Sequence, residues 1–171
     1  AITWMLQAWV PPRWALGGGI AAAIWMIGRH AFDGYWASTF WGGNMAAMGG
    51  ALVLGGVRRV ARAPTVGASL AVGVGLSVLA NSRPFEGLFF VLVPMLVVCW
   101  MVLGHVRRRR WRVAAVSAGP MLVVLVMTAA LMGVYNKAVT GSATEFPYQT
   151  YYNTYDSSPS IIGQRAPAMP E

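Results

Sequence analysis

The run Gly87-Leu-Phe-Phe-Val-Leu-Val-Pro-Met-Leu-Val-Val-Cys-Trp-Met-Val-Leu-Gly104 leads into His105-Val-Arg-Arg-Arg-Arg-Trp-Arg112. Val113-Ala-Ala-Val-Ser-Ala-Gly-Pro-Met-Leu-Val-Val-Leu-Val-Met-Thr-Ala-Ala-Leu-Met-Gly-Val134 follows directly. Two uncharged apolar runs, each near the roughly 20 residues that cross a bilayer, are hinged on a block of arginines. A block of that kind stays on the cytoplasmic side, where cationic loops are retained. The segment therefore reads as a helical hairpin in a membrane with its turn inside.

The rest of the chain repeats this alternation. Nine of the thirteen Lys and Arg residues fall at Arg13, at Arg58, Arg59 and Arg62, and at Arg107, Arg108, Arg109, Arg110 and Arg112. The five acids, Asp33, Glu86, Glu145, Asp156 and Glu171, fall in the alternate connections. Residues AVILMFWYC make up 57% of the chain and charged residues 11%, and the mean hydropathy is +0.55. A soluble domain carries about 25% charged residues, so there is too little polar surface here for a water-facing globule. The net charge of +8 does not indicate a nucleic-acid partner, because the cations punctuate apolar helices and line no single face. The anionic cytoplasmic leaflet suits them better, at about 1 kcal/mol per residue.

The sequence predicts an all-α fold: a polytopic transmembrane bundle of about five spans, near 14–28, 40–57, 65–80, 87–104 and 113–134. Residues 1–12 read as the inner end of a truncated helix, stopped by Pro11 and Pro12, with an inner loop. Residues 135–171 read as an external, polar, Tyr-rich tail. The 14–28 stretch is short for a span. Parity puts residues 29–39 and the turn Asn81–Glu86 outside. Trp9, Trp14, Trp36, Trp41, Trp111 and Tyr135 then fall near the interfaces, where aromatic belts form. The expected location is a bacterial inner membrane, with the basic loops cytoplasmic and the tail periplasmic.

Small residues recur every fourth position in the rows Gly42, Ala46, Gly50, then Gly43, Ala47, Ala51, and Gly67, Ala71, Gly75. Such rows let helix backbones approach closely. They serve helix packing or, alternatively, line a ligand groove. Cys99 reads as a small buried hydrophobe, since one thiol forms neither an internal disulfide nor a thiolate metal site.

Four residues are candidates for binding. In Asn81-Ser-Arg-Pro-Phe-Glu86, Pro84 suits the first position of a helix and Glu86 its first turn. Arg83 and Glu86, three apart, can pair. Arg83 can also bind a phosphate with its two-pronged guanidinium, Glu86 orienting it or a sugar hydroxyl. Asp33 lies in an external segment with His30 and several rings, where it serves as a base or metal ligand or is simply solvated. Tyr148 belongs to the tyrosine-rich tail, which lines a polar cleft or packs on another subunit. His30 and His105 fall on opposite sides and share no metal. No P-loop, dinucleotide fingerprint, zincin motif or nucleophile elbow occurs, and no cofactor is called for beyond an unsupported divalent metal.

Three stretches carry a family resemblance: Trp36-Ala-Ser-Thr-Phe-Trp-Gly-Gly-Asn-Met-Ala-Ala-Met-Gly-Gly-Ala-Leu52, Leu79-Ala-Asn-Ser-Arg-Pro-Phe-Glu-Gly-Leu88, and Asn136 through Phe146-Pro-Tyr148. Together they resemble the middle of bacterial multi-spanning proteins related to GT-C-type glycosyltransferases. The resemblance implies transfer of a sugar from a polyprenyl-phosphate carrier at the outer membrane face, with Arg83 at the carrier phosphate. It also implies that the catalytic acid belongs to a first external loop upstream of Ala1, so no catalytic residue is assigned within this chain. The competing expectation is a non-catalytic accessory or scaffold subunit of a larger membrane complex, photosynthetic or respiratory.

Overall fold

The computed structural model describes residues 1–28, 43–148 and 150. Among them the fold is all-α, with six helices in chain order: α1 (Ile2–Leu6), α2 (Pro12–Gly28), α3 (Gly43–Arg62), α4 (Val66–Ser82), α5 (Pro84–Arg107) and α6 (Trp111–Thr140). Two of these, α5 and α6, are long and apolar enough to cross a membrane. The helix α4 is apolar but only 17 residues long, and α3 dilutes its apolar content with glycine and three arginines.

Helix boundaries follow local chemistry. The Thr65 hydroxyl caps α4 by accepting the Ala68 N–H at 3.2 Å, one of the orphan donors of a helix start. Arg83 alone separates α4 from α5, and proline follows it at the start of α5. The Arg83 N–H bonds the Leu79 carbonyl, and the Gly87 N–H bonds the Arg83 carbonyl at 2.7 Å. So tight a reversal brings Leu79 against Gly87, where an added Cβ would lie 3.1 Å from the Leu79 Cβ. The arginine run is a real helix break: Arg109 has φ 55°, a left-handed conformation that costs a non-glycine residue about 1–2 kcal/mol. The helix α6 overruns the sequence expectation by one and a half turns. It stops where Gly141, at φ +82°, turns its N–H back to the Lys137 carbonyl, as a left-handed C-terminal glycine does.

The centre of the fold is the antiparallel pair α3–α4. An ideal Cβ on Gly75 would lie 2.6 Å from the Gly49 carbonyl oxygen, and one on Gly56 would lie 2.6 Å from Val72 and 3.0 Å from the Ala68 carbonyl. Only missing side chains permit this approach. Val53, Val57, Val72, Leu79, Val98 of α5 and Met121 of α6 form the buried cluster around it. Thus α3 packs through Gly49, Val53 and Gly56, and α4 through Ala68, Val72, Gly75 and Leu79. Of the expected α4 row, Gly75 is buried, whereas Gly67 is exposed with open space around it.

The packing of α6 on α4 uses a second face. The Ser69 hydroxyl, 0% exposed, donates to the Ser117 carbonyl at 2.9 Å and accepts the Met121 N–H at 3.1 Å. Those two backbone groups are partners in one helical rung. Pro120 beside them has no N–H to give, and a neighbouring serine is one way a membrane helix satisfies groups loosened by proline. Gly73, one turn along α4, lies against Met121 and Val124. Elsewhere on α4 the polar side chains bond back to their own helix: Ser77 to the Gly73 carbonyl, Asn81 to Ser77 and Ser82 to Val78.

These contacts also fix directions. Gly50 of α3 faces Phe90 of α5, while Val57 and Ala61 share a groove with Val97, so α3 and α5 run parallel. The arginine-bearing C-terminal ends of both helices therefore point the same way, and Arg83 lies at the opposite end. Along α5, Phe85, Phe89, Val93, Leu96 and Trp100 form an exposed apolar stripe, Trp100 being 77% exposed. Cys99 belongs to this exposed face as well. It is therefore not the buried residue the sequence suggested: the inner stripe of α5 passes through Pro94 and Val98 instead.

The chain divides into two compact units, 1–126 and 127–171. In the second, the Thr140 hydroxyl lies 2.8 Å from the Asn136 carbonyl and within 3.2 Å of those of Ser142 and Glu145, its single proton serving one at a time. Asn136, buried, donates to the Ala143 carbonyl at 3.4 Å.

Gly75→Leu should lower unfolding stability in detergent by about 1–3 kcal/mol, the usual effect of overpacking, while Gly67→Leu should be nearly neutral; denaturant titration followed by circular dichroism reads both. By the same assay Ser69→Ala should cost about 1 kcal/mol, in the range measured for single interhelical hydrogen bonds in membranes.

Candidate functional site

Two of the four expected site residues come together. Arg83 and Glu86 form an ion pair through Nη1 and Oε2. Arg83 is 26% exposed and Glu86 69%, so the pair is screened by its surroundings and worth little as a stabiliser. Its position matters more. Arg83 is the joint between α4 and α5, and Glu86 sits in the first turn of α5, where the helix dipole favours an acid. Both side chains border a groove of about 490 Å³.

The groove is built by packing. Ala46, Ala47, Gly50 and Ala51 of α3 form its floor, with Phe90 and Gly87 of α5 on one side and Ile2 and Met5 of α1 on the other. Both expected small-residue rows of α3 line this groove, through Ala46 and Gly50 and through Ala47 and Ala51. Gly49, which belongs to neither row, packs on α4. The lining is apolar apart from the Arg83–Glu86 pair at one end. Its volume lies in the range of about 300–1,000 Å³ typical of small-molecule pockets.

Helix α1 completes the wall for a reason absent from the expected site. The Trp4 ring covers Gly55, where an added Cβ would meet it at 2.6 Å. The Arg59 guanidinium stacks on the other part of that ring, 3.8 Å from its centroid, and donates to the Trp4 carbonyl at 2.8 Å and the Gly55 carbonyl at 3.0 Å. Arg58 lies 5.1 Å from the centroid of Trp9. Such cation–π contacts contribute about 0.5–2 kcal/mol each. Together they bind the N-terminal segment to the basic end of α3. Trp4, Trp9, Arg58, Arg59 and Phe90 were not among the expected site residues. Of these, Trp9, Arg58 and Arg59 carried a sequence signal, as residues expected near an interface; Trp4 and Phe90 carried none.

Of the remaining candidates, Asp33 and His30 lie outside the described residues. Tyr148 is 41% exposed and stacks on Phe146, ring centroids 5.6 Å apart at 25°. Nearby, the Thr150 hydroxyl donates to Glu145 Oε1 at 3.0 Å. His105 falls in the last turn of α5 beside Arg107. No three His, Cys, Asp or Glu residues converge on a metal-sized site among the described residues.

Chemically, the groove offers a long apolar surface that ends at a guanidinium. That arrangement suits an amphiphile with an apolar tail and an anionic head. Among the described residues that line it, Glu86 carries the carboxylate, and that carboxylate is paired with Arg83. No protein-family model, curated protein or solved structure matches the chain.

Proposed function

We propose that the chain is the middle of a bacterial inner-membrane protein related to GT-C-type glycosyltransferases, and that its groove receives a polyprenyl-phosphate carrier. The observation that carries this reading is the apolar channel over Ala46, Ala47, Gly50 and Ala51, which opens beside Arg83 at the end of the bundle away from the arginine-rich turns. The isoprenoid tail lies along the small-residue floor. Arg83 meets the carrier phosphate, in exchange for part of its pairing with Glu86. Glu86 keeps the guanidinium at the groove mouth.

In this reading the helices form five spans, with residues 58–62 and 107–112 cytoplasmic and the tail beyond Thr140 periplasmic. Parallel α3 and α5, with basic C-terminal ends, support that topology. The chain supplies the carrier-binding wall, and no catalytic acid is assigned within it.

A second reading, an accessory subunit of a larger membrane complex, is favoured by the exposed stripe from Phe85 to Trp100. Contiguous apolar surface of that kind contacts either lipid or protein.

Binding of a short-chain polyprenyl phosphate to the purified chain separates the two. Arg83→Ala should weaken binding about tenfold, as expected for losing a charge-assisted contact, and Ala47→Trp should block the groove. Stoichiometric co-purification with other subunits, together with a silent Arg83→Ala, would favour the scaffold reading instead. The topology has its own test. In a Cys99→Ala background, Arg108→Cys and Thr144→Cys should label from opposite compartments with a membrane-impermeant maleimide; labelling from the same side would end the five-span assignment.

A further inference from the structure

A second groove, of about 360 Å³, lies toward the basic end of α3 and shares Leu54 and Phe90 with the first. Val57 and Ala61 of α3 and Val93 and Val97 of α5 continue it. Its end is formed by Trp9 and Arg58. From this geometry we infer that the inner groove is a binding site for an anionic phospholipid, with an acyl chain between α3 and α5 and its phosphate against Arg58. The site needs the chain to lie in a membrane, but it is independent of any glycosyl transfer at Arg83.

Arg58 and Arg59 are neighbours with different fates. Arg59 is consumed internally, held by the Trp4 ring and two backbone carbonyls. Arg58 rests on Trp9, and its Nε–H is buried with no hydrogen-bond partner. A buried donor without a partner in an apolar setting is costly, and more so on a cation. No acid among the described residues pairs with Arg58, and Glu86 lies at the other end of α5. Among the described residues the charge therefore has no counterion there. An anion delivered from outside would supply one.

The shape of the groove selects the anion's carrier. One end is cationic, the walls are aliphatic and aromatic, and Val93 and Val97 of its lining are exposed. A soluble phosphate would leave the walls empty, and a zwitterionic lipid would add a cation beside Arg58 and, one turn on, Arg62. A lipid with a net negative headgroup fits both ends. Trp9 suits the boundary, since tryptophan sits comfortably between headgroup and chain.

The test uses the full chain purified in a mild detergent, incubated with equal amounts of phosphatidylglycerol and phosphatidylcholine, and examined by native mass spectrometry. The expected result is phosphatidylglycerol retained about fivefold over phosphatidylcholine, the effect of one well-placed cation. Arg58→Gln should remove that preference, Arg58→Lys should keep most of it, and Val57→Trp should lower retention of both lipids. Arg112→Gln should change nothing. Circular dichroism melting shows that each variant remains folded. Equal retention of the two lipids by the wild-type chain would overturn the inference, as would an unchanged preference in folded Arg58→Gln. Displacement of phosphatidylglycerol by glycerol phosphate alone would overturn it too, since the chain would then play no part. Carrier binding at Arg83, measured separately, stands or falls on its own.

Discussion

Gly49 and Gly75 meet backbone to backbone, and the bundle is arranged around that contact. With no side chain on either residue, α3 and α4 approach until a Cβ would touch the opposite carbonyl. In lipid there is little hydrophobic force between helices, because acyl chains solvate leucine as well as another helix does. Close approach is what remains. It multiplies weak dispersion contacts over two turns through Val53, Gly56 and Val72, and it aligns α4 so that Ser69 and Gly73 present a second face to α6. The α3–α4 pair is therefore the frame on which α5 and α6 are laid.

The two grooves are consequences of that frame. Where α3 packs Gly49 and Gly56 on α4, Ala46, Ala47, Gly50 and Ala51 are left lining the space beside α5 and α1. Small residues there cannot fill the space that Phe90 and Met5 bridge from either side. What results is an apolar channel along α3 with a guanidinium near each end: Arg83 where α4 turns into α5, Arg58 where the N-terminal segment returns. The two cations are held differently. A neighbouring carboxylate fixes Arg83 in the open, and an indole ring covers Arg58. Those different supports give the two ends different chemistry.

Polar groups in the apolar zone are dealt with locally. Ser77, Asn81 and Ser82 bond their own helix, and Ser69 serves a rung beside a proline in another helix. This economy keeps the outward surface of α5 uniformly apolar, from Phe85 to Trp100, at positions where a water-soluble fold would carry charge. Among the described residues the left-handed non-glycine residue is Arg109, and it falls in the arginine turn.

The sequence alone determined that the chain is helical, that helices turn at Asn81–Glu86 and at the arginine run, and that Arg83 and Glu86 are spaced to pair, because each of these depends on residues within a few positions of one another. Apolar runs, proline at a helix start and i,i+3 spacing are local quantities. It also put arginines and tryptophans at common interfaces. Only the tertiary structure decided which small residues pack: four-residue spacing marks Gly67, Ala71 and Gly75, whereas the contact with α3 falls on Ala68, Val72 and Gly75, and that choice depends on helix rotation. It likewise decided that Cys99 faces outward and that Trp4 and Trp9 seat on arginines some fifty residues away. Those pairings join segments distant in the chain, and no periodicity within either segment encodes the other's position.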